Sequence, residues 1–503
     1  MKISTHLILK KGSLSLSALL FIATFGVGSF VLNPHADAQA SLQTTIDTIL
    51  ADPTVDGAQT GVLVRKASDG TELYSRNKNS LLIPASNTKL YSSTAALEVL
   101  GEGFRFQTTI GTNGTLNNTG DTLRGDLYLK GRGDPTLKAK DYNELAKQIV
   151  AKGITTIKGQ IIADDTYFDN QRLGYNWGWD SNPYYYQPEI SALTVAANDN
   201  LDIGALIVKI DPANNVGKPA RVNTDPKTDY VTFANTAVTG PAGSANTVSV
   251  ERQMGTNIIM VKGSIPADAT TVNQVSTVGD PAKYAATLLR AALVRHGVTI
   301  TKEGVGSAAL PSTATAIIEH SSRPLSEILV PFMKLSNNGI AEILTKSVGQ
   351  KTANQGSWGA GIAAMLNIVQ TSYGVDASKV KFVDGSGLSN VNLTTPQQTT
   401  NLLLAAQNRP IFTLWYNALP IAGNADPLVG GTLASRMRGT PAEGNVHAKT
   451  GSLDNVSALS GYVIAANGEK LVFSIMETNY AGASPKTTVE DKIAVALASY
   501  TGQ

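Results

Sequence analysis

The sequence predicts an α/β fold in which one αβ domain is split by a long β-rich insertion. Three observations carry this reading. Helix and strand signals cluster in the first and last quarters of the chain, and the middle shifts to a composition rich in Thr, Val, Asn, Asp and Gly. Three short polar strings, Ser86-Asn87-Thr88-Lys89, Ser336-Asn337-Asn338 and Lys449-Thr450-Gly451, lie in the flanks on either side of that middle. With 503 residues, 42% of them hydrophobic, the chain can build two to four cored domains. A formal net charge of +2 leaves no footprint for nucleic acid. There is no cysteine, which excludes disulfides and thiol chemistry, and the five scattered histidines contain no H-E-x-x-H. Neither a metal nor a cofactor is expected.

In chain order, the first 38 residues read as a signal peptide. Lys2, Lys10 and Lys11 form a basic start, residues 12–32 carry no charge, Pro34 breaks any helix, and Ala36-Asp37-Ala38 offers a cleavage site after Ala38. The competing reading is an uncleaved anchor. No later stretch approaches a membrane span, so the mature protein is expected to work outside the cytoplasmic membrane. Residues 41–50 then predict a short helix, and 61–64 with 72–74 a strand pair around a Ser68-Asp69-Gly70 turn. Pro84 and Ala85 lead into a helix with Leu90, Ala96, Leu97 and Leu100 as its apolar positions, stopped by Gly101. In the middle, Asn113-Gly114 and Asn118-Thr119-Gly120 signal hairpins. Residues 126–129, 161–162 and 257–261 predict strands, and 142–151 and 282–296 helices. Helical spacing returns at 325–335, 339–348 and 359–373. Residues 458–465 and 470–477 predict adjacent strands beside Lys449-Thr450-Gly451, and 489–500 a terminal helix.

The strings point to acyl transfer without a histidine. A serine three residues before a lysine shares its helix face, so Lys89 can accept the proton that makes Ser86 a nucleophile, provided burial and a nearby cation lower its pKa. Lys449 would supply that cation. Ser336 could relay a proton to the leaving amine, and the Asn338 amide could orient a substrate carbonyl. Gly451 would let a ligand backbone approach, while Lys449 and Thr450 bind a carboxylate. Each string alone is also an ordinary feature: a helix N-cap, a helix-terminal polar cluster, a strand-edge lysine. S-x-x-K recurs at Ser75-Lys78 and Ser378-Lys381, and S-x-N at Ser75-Asn77 and Ser244-Asn246, in polar or turn-like contexts, whereas K-T-G occurs once. His447 is expected to support Lys449 rather than react.

Taken in order, the three strings are the signature set of penicillin-binding proteins and serine β-lactamases. With Pro84 before the first, Met333-Lys334-Leu335 before the second and His447-Ala448 before the third, the chain resembles the class C low-molecular-mass penicillin-binding proteins of the D-alanyl-D-alanine carboxypeptidase/endopeptidase type, the S13 peptidases. Further similar strings are Gly133-Asp134-Pro135-Thr136-Leu137, Asp164-Asp165-Thr166-Tyr167-Phe168, Asp384-Gly385-Ser386-Gly387-Leu388-Ser389 and Gly430-Gly431-Thr432-Leu433. The resemblance implies a penicillin-recognising, β-lactamase-like αβ domain with an antiparallel sheet (41–105 and 314–503). It implies one insert domain over 106–135 and 220–313 and a second nested within it over 136–219. It also implies a serine peptidase that removes the terminal D-alanine from peptidoglycan stem peptides or cuts their cross-links, and that β-lactam antibiotics acylate. Ser86 would be the nucleophile and Lys89 the base, with Ser336 and Asn338 in support. Lys449 and Thr450 would hold the carboxylate, and the N–H groups of Ser86 and Ser452 would form the oxyanion hole. Trp177, Asp180 and Tyr185 match the insert-borne side of a pocket for the stem-peptide side chain. Asn390 stands where members with that pocket carry arginine, unless Arg172 substitutes. The insertion is expected to position wall substrate as a separable module without a catalytic group. The rivals are a serine β-lactamase of the same fold, disfavoured by the long gap between the first two strings, and a non-catalytic β-lactam or cell-wall binding protein.

Overall fold

The computed structural model describes residues 34–502 except residue 182. Most of the expected signal peptide therefore lies outside the described residues. Helix α1 (Pro34–Ile49) starts earlier than the expected 41–50 and includes the cleavage point after Ala38. Pro34 opens this helix instead of breaking it, because a first-turn proline has no hydrogen-bonded N–H to lose. No helix among the described residues is long and apolar enough to cross a membrane.

The domain expected from the two ends of the chain is built on a five-stranded antiparallel sheet. Its strands are β1 (Gln59–Lys66), β2 (Glu72–Arg76), β3 (His447–Leu453), β4 (Val456–Ile464) and β5 (Lys470–Thr478), in the order β2-β1-β5-β4-β3. Strand β5 reads Lys-Leu-Val-Phe-Ser-Ile-Met-Glu-Thr and is buried on both faces, as a central strand covered by two layers must be. Lys449-Thr450-Gly451, expected beside a strand, lies within the edge strand β3 itself.

One sheet face packs on helices α2 (Thr88–Leu100), α3 (Leu325–Lys334), α4 (Asn338–Ala353) and α5 (Trp358–Tyr373), through a core that includes Leu90, Ile328, Leu344, Tyr462 and Val472. The other face packs on α1 and α6 (Asp491–Ala498) through Ile46, Phe473, Ile475 and Ile493. Helix α2 is buried all round from Thr88 to Leu97, so it lacks the polar face of a surface helix. Its polar side chains bond inward: Ser92 Oγ donates to the Gly385 carbonyl at 2.7 Å, and Ser93 Oγ accepts from the Trp415 indole at 2.7 Å.

The insertion divides differently from the expected 106–135/220–313 and 136–219. A second five-stranded sheet joins Gln107–Thr112, Leu127–Gly131, Ile161–Asp164, Val305–Ser307 and Thr315–Ser321, drawing on all three expected segments and the start of the catalytic one. One of its two parallel pairs, Leu127–Gly131 with Ile161–Asp164, needs a crossover, and the helix Ala139–Ala151 supplies it. Strand Ala205–Asp211 likewise pairs across the expected boundary, with Arg221–Asp225 and Val272–Thr277. The insertion also shares packing with the flanking domain. Phe168, Ile190, Ala192, Leu201 and Ile203 belong to the same core as α2 and α4.

Candidate active site

Ser86 lies on a 3-10 turn, Ala85–Asn87, that runs straight into α2. Ala85 ahead of it has φ 45°, a left-handed conformation that costs a residue with a Cβ on the order of 1–3 kcal/mol. Such strain persists only where packing over-determines it. Here Gly451 and Gly387 press on the turn: a Cβ on Gly451 would sit 2.5 Å from the Pro84 carbonyl oxygen, and one on Gly387 1.8 Å from that of Ala85. Asn87 ties the turn to the sheet by donating from Nδ2 to Ser460 Oγ at 2.8 Å.

Lys89, on the next turn of α2, is fully buried. Its Nζ lies 2.8 Å from Ser86 Oγ and donates to Asn338 Oδ1 at 2.6 Å and to the Ser386 carbonyl at 2.7 Å. Burial pushes its pKa down to about 7, against the carboxylates of Glu342 and Asp384, which pull upward. Near neutrality Lys89 can therefore be an unprotonated base.

The second string is the link between α3 and α4. Ser336 takes a left-handed φ of 58°, Asn337 caps α4 by accepting from the Ile340 N–H at 2.9 Å, and Asn338 is the first residue of α4. The Asn338 amide is spoken for at both ends, since Nδ2 donates to the Tyr186 carbonyl at 2.8 Å. On β3, Lys449 Nζ donates to Ser336 Oγ at 2.8 Å and to the Thr450 carbonyl at 2.9 Å. Burial first, and then the positive charge of Lys89, hold the Lys449 pKa well below the usual lysine range. Thr450 Oγ1 donates to Thr432 Oγ1 at 2.8 Å.

Beside these groups opens a cleft of about 760 Å³ whose lining includes Ser86, Ser336, Asn338, Thr450 and Ser452 together with Asp180, Tyr185 and Asn390. Three expected residues stand elsewhere. Lys449 reaches the cleft only through Ser336. Gly451 turns the side where a Cβ would project onto the serine turn. Trp177 turns inward, donating its indole N–H to Asp384 Oδ2 at 3.0 Å. Among the described residues lining the cleft, Asp180, Asp202 and Asp454 are acidic and none is lysine or arginine. Arg172 is no substitute, being paired with Asp165. His447 stacks on Tyr416, ring centroids 4.3 Å apart, outside the cleft.

The competing strings are surface features. Lys78 pairs with Glu72, Ser378 Oγ donates to Asp376 Oδ1 at 2.7 Å, and Ser244 Oγ to the Pro241 carbonyl at 2.7 Å.

Two buried carboxylates behind Lys89 received no role from the sequence, although Asp384 lies in one of the family-like strings. Glu342 accepts from the Gly385 N–H (2.9 Å), the Ser386 N–H (2.8 Å) and the Trp358 indole (2.7 Å). Asp384 accepts from Gly387 N, Ser389 N and Asn392 Nδ2, each at 2.8 Å, besides Trp177. The available signal was Glu342 itself, a lone acid in the apolar run Gly-Ile-Ala-Glu-Ile-Leu, one turn after Asn338.

The model of the D-Ala-D-Ala carboxypeptidase 3 (S13) family matches residues 42–500. The chain belongs to this family. It is 45% identical over 487 residues to the D-alanyl-D-alanine carboxypeptidase of Actinomadura sp. (strain R39), covering 96% of this chain and 89% of that protein. The crystal structure of penicillin binding protein 4 (dacB) from Haemophilus influenzae superposes with a TM-score of 0.75 at 25% identity, covering 91% of this chain and 97% of that one. A structure of the Haemophilus protein complexed with a β-lactam superposes with a TM-score of 0.69 at 23% identity, covering 90% and 97%. The S13 fold thus spans sheet, helices and insertion together, as the shared core requires.

Proposed function

We infer that this S13 protein is a serine D-Ala-D-Ala carboxypeptidase of peptidoglycan stem peptides, acting through an acyl-enzyme that β-lactams also form. One observation carries the mechanism: Lys89 Nζ, buried and displaced towards its neutral form, touches Ser86 Oγ beside an open cleft. Ser86 Oγ attacks the carbonyl of the terminal D-Ala-D-Ala bond as its proton passes to Lys89. The N–H groups of Ser86 and Ser452 receive the developing oxyanion; the close approach of Gly451 to Pro84 sets these two segments side by side. The Ser336 hydroxyl gives its proton to the departing amine nitrogen and is resupplied from the lysines, Lys449 being already bonded to its oxygen. D-Alanine leaves, and water attacks the ester with Lys89 again as base. Thr450 and Ser452 face the substrate carboxylate, with Lys449 as the charge behind them.

The acidic cleft, with Asn390 in its lining, suits a stem-peptide side chain ending in an amine. The basic, then apolar N-terminal residues support export as the setting. The same cleft would serve cross-link cleavage. Membership in the S13 family and the long separation of the first two strings favour the carboxypeptidase over the β-lactamase and the receptor.

The test is intact-mass spectrometry after penicillin treatment, alongside turnover of a diacyl peptide ending in D-Ala-D-Ala. One adduct on Ser86, absent from Ser86→Ala, together with D-alanine release, is expected. An adduct that persists in that variant, or penicillin turnover without peptide cleavage, would reject the reading.

A further inference from the structure

Lys89 has three acceptors, and only two of them belong to the three strings. The third is the Ser386 carbonyl, on a loop that has no motif role. Two carboxylates hold the loop that carries it: Asp384 accepts the Gly387 N–H of the same peptide, and Glu342 anchors the residues just before it. The two oxygens of Glu342 take the consecutive N–H groups of Gly385 and Ser386, and the Trp358 indole fixes the carboxylate from α5. Glu342 is fully buried and stands one turn beyond Asn338 on α4, so a single helix face presents an acceptor directly to Lys89 and a second one through the loop.

We propose that Glu342 is a positioning residue for acyl transfer: it hangs the Gly385-Ser386 peptide so that the Ser386 carbonyl holds Lys89 Nζ against Ser86 Oγ. This rests on the carboxypeptidase reading above.

The charge of Glu342 matters as well as its shape. Every hydrogen bond described for its carboxylate comes from a donor, so the site is built for the ionised form, although burial and then Asp384 push its pKa upward. The charged groups around the pair are Asp384 on the loop, Lys346 on α4, Lys89 on α2 and Lys449 on β3. Of these, Asp384 and Glu342 favour the ammonium form of Lys89 and Lys449 opposes it. Proton transfer from Ser86 creates that ammonium, so a fixed anion behind it stabilises the transition state more than the neutral-lysine ground state.

The experiment is the pH profile of the second-order acylation rate of full-length protein with a chromogenic β-lactam, for wild type and Glu342→Gln. A glutamine presents one oxygen and an NH2 to three donors, so at least one N–H loses its acceptor and the loop shifts. The plateau rate should fall at least ~10-fold. The acid limb should move to lower pH by on the order of one unit, because an anion that favoured protonated Lys89 is gone. A merely structural role would lower the rate without moving the limb, and that result, or a wild-type profile, overturns the proposal. If Glu342→Gln does not fold, Trp358→Phe decides. It keeps the ring over Lys346 but removes one donor to Glu342, and it should show a several-fold fall with the limb displaced in the same direction; an unchanged profile overturns the proposal. Absence of acylation in the wild type would instead reject the functional reading itself.

Discussion

Gly451→Ala separates two roles for the glycine of the third string. If the glycine makes room for a ligand backbone, a methyl there harms binding alone. The structure places the methyl elsewhere, 2.5 Å from the Pro84 carbonyl oxygen and 3.2 Å from the Cβ atoms of Ala85 and Ala458. Real Cβ contacts essentially never fall below 3.0 Å, so β3 and the serine turn must part by about half an ångström or more. The obstacle is backbone, and Ala85 beside it is already in a left-handed conformation, so no side-chain rotation relieves the clash. Overpacking of this kind costs about 1–3 kcal/mol of stability. A displacement approaching an ångström between nucleophile and oxyanion donors costs roughly a hundred-fold in rate. The assay is stopped-flow acylation by a β-lactam under saturating conditions, with thermal unfolding measured in parallel. The expected result is a drop of one to two orders of magnitude in the saturated rate, with a lowered melting temperature. A wild-type saturated rate with only weakened apparent affinity would refute the packing argument and restore the ligand-approach role.

Two further predictions follow from the same geometry. Because burial brings Lys89 down to about 7, its neutral fraction grows as pH rises through that value, so acylation should climb with pH across ~6–8 and then level off; a limb near the ordinary lysine range would mean that Lys89 is not the base being titrated. Because the described cleft lining has three acids and no lysine or arginine, stem peptides whose side chain ends in an amine should match or exceed those ending in a free carboxylate. Asn390→Arg should shift the preference towards the carboxylate by roughly ten-fold in kcat/KM, the worth of a charged bidentate contact over a neutral one; no shift would place Asn390 outside the side-chain pocket.

Locally coded features were legible in the sequence, and long-range ones were not. The β1–β2 pair, α2 with its Pro84 entry and Gly101 stop, and the helices α3 to α5 follow from spacing and end signals carried within each segment. Pro34 was misread because a proline both interrupts and opens helices, and the sequence alone does not say which. The partition of the insertion failed for a different reason. Strand pairs such as Leu127–Gly131 with Ile161–Asp164, or Thr315–Ser321 with Gln107–Thr112, are fixed by partners far away in the chain, and no local signal names the partner. The same holds for Phe168, Ile190 and Leu201, whose apolar character announced a core but not the one they share with α2. In the site, Ser86, Lys89, Ser336, Asn338 and Lys449 were visible as strings, while the directions of Trp177 and Gly451 depended on the neighbours that surround them.

The four buried charges give the deeper reason why a site without histidine can work. Lys89 and Lys449 repel, as do Glu342 and Asp384, and both carboxylates attract Lys89. Removing one member would leave a buried charge uncompensated, which costs several kcal/mol, so the cluster is held as a unit. Within it burial makes neutral Lys89 accessible, and the carboxylates favour its return to the ammonium form. Lys89 is thus balanced between two states that the reaction visits in turn: neutral when Ser86 must be deprotonated, charged once the tetrahedral intermediate has formed. A histidine achieves that balance by its intrinsic pKa. Here a lysine achieves it by placement, and half of that placement, Glu342 with the Asp384 loop, lies outside the three strings by which the chemistry is read.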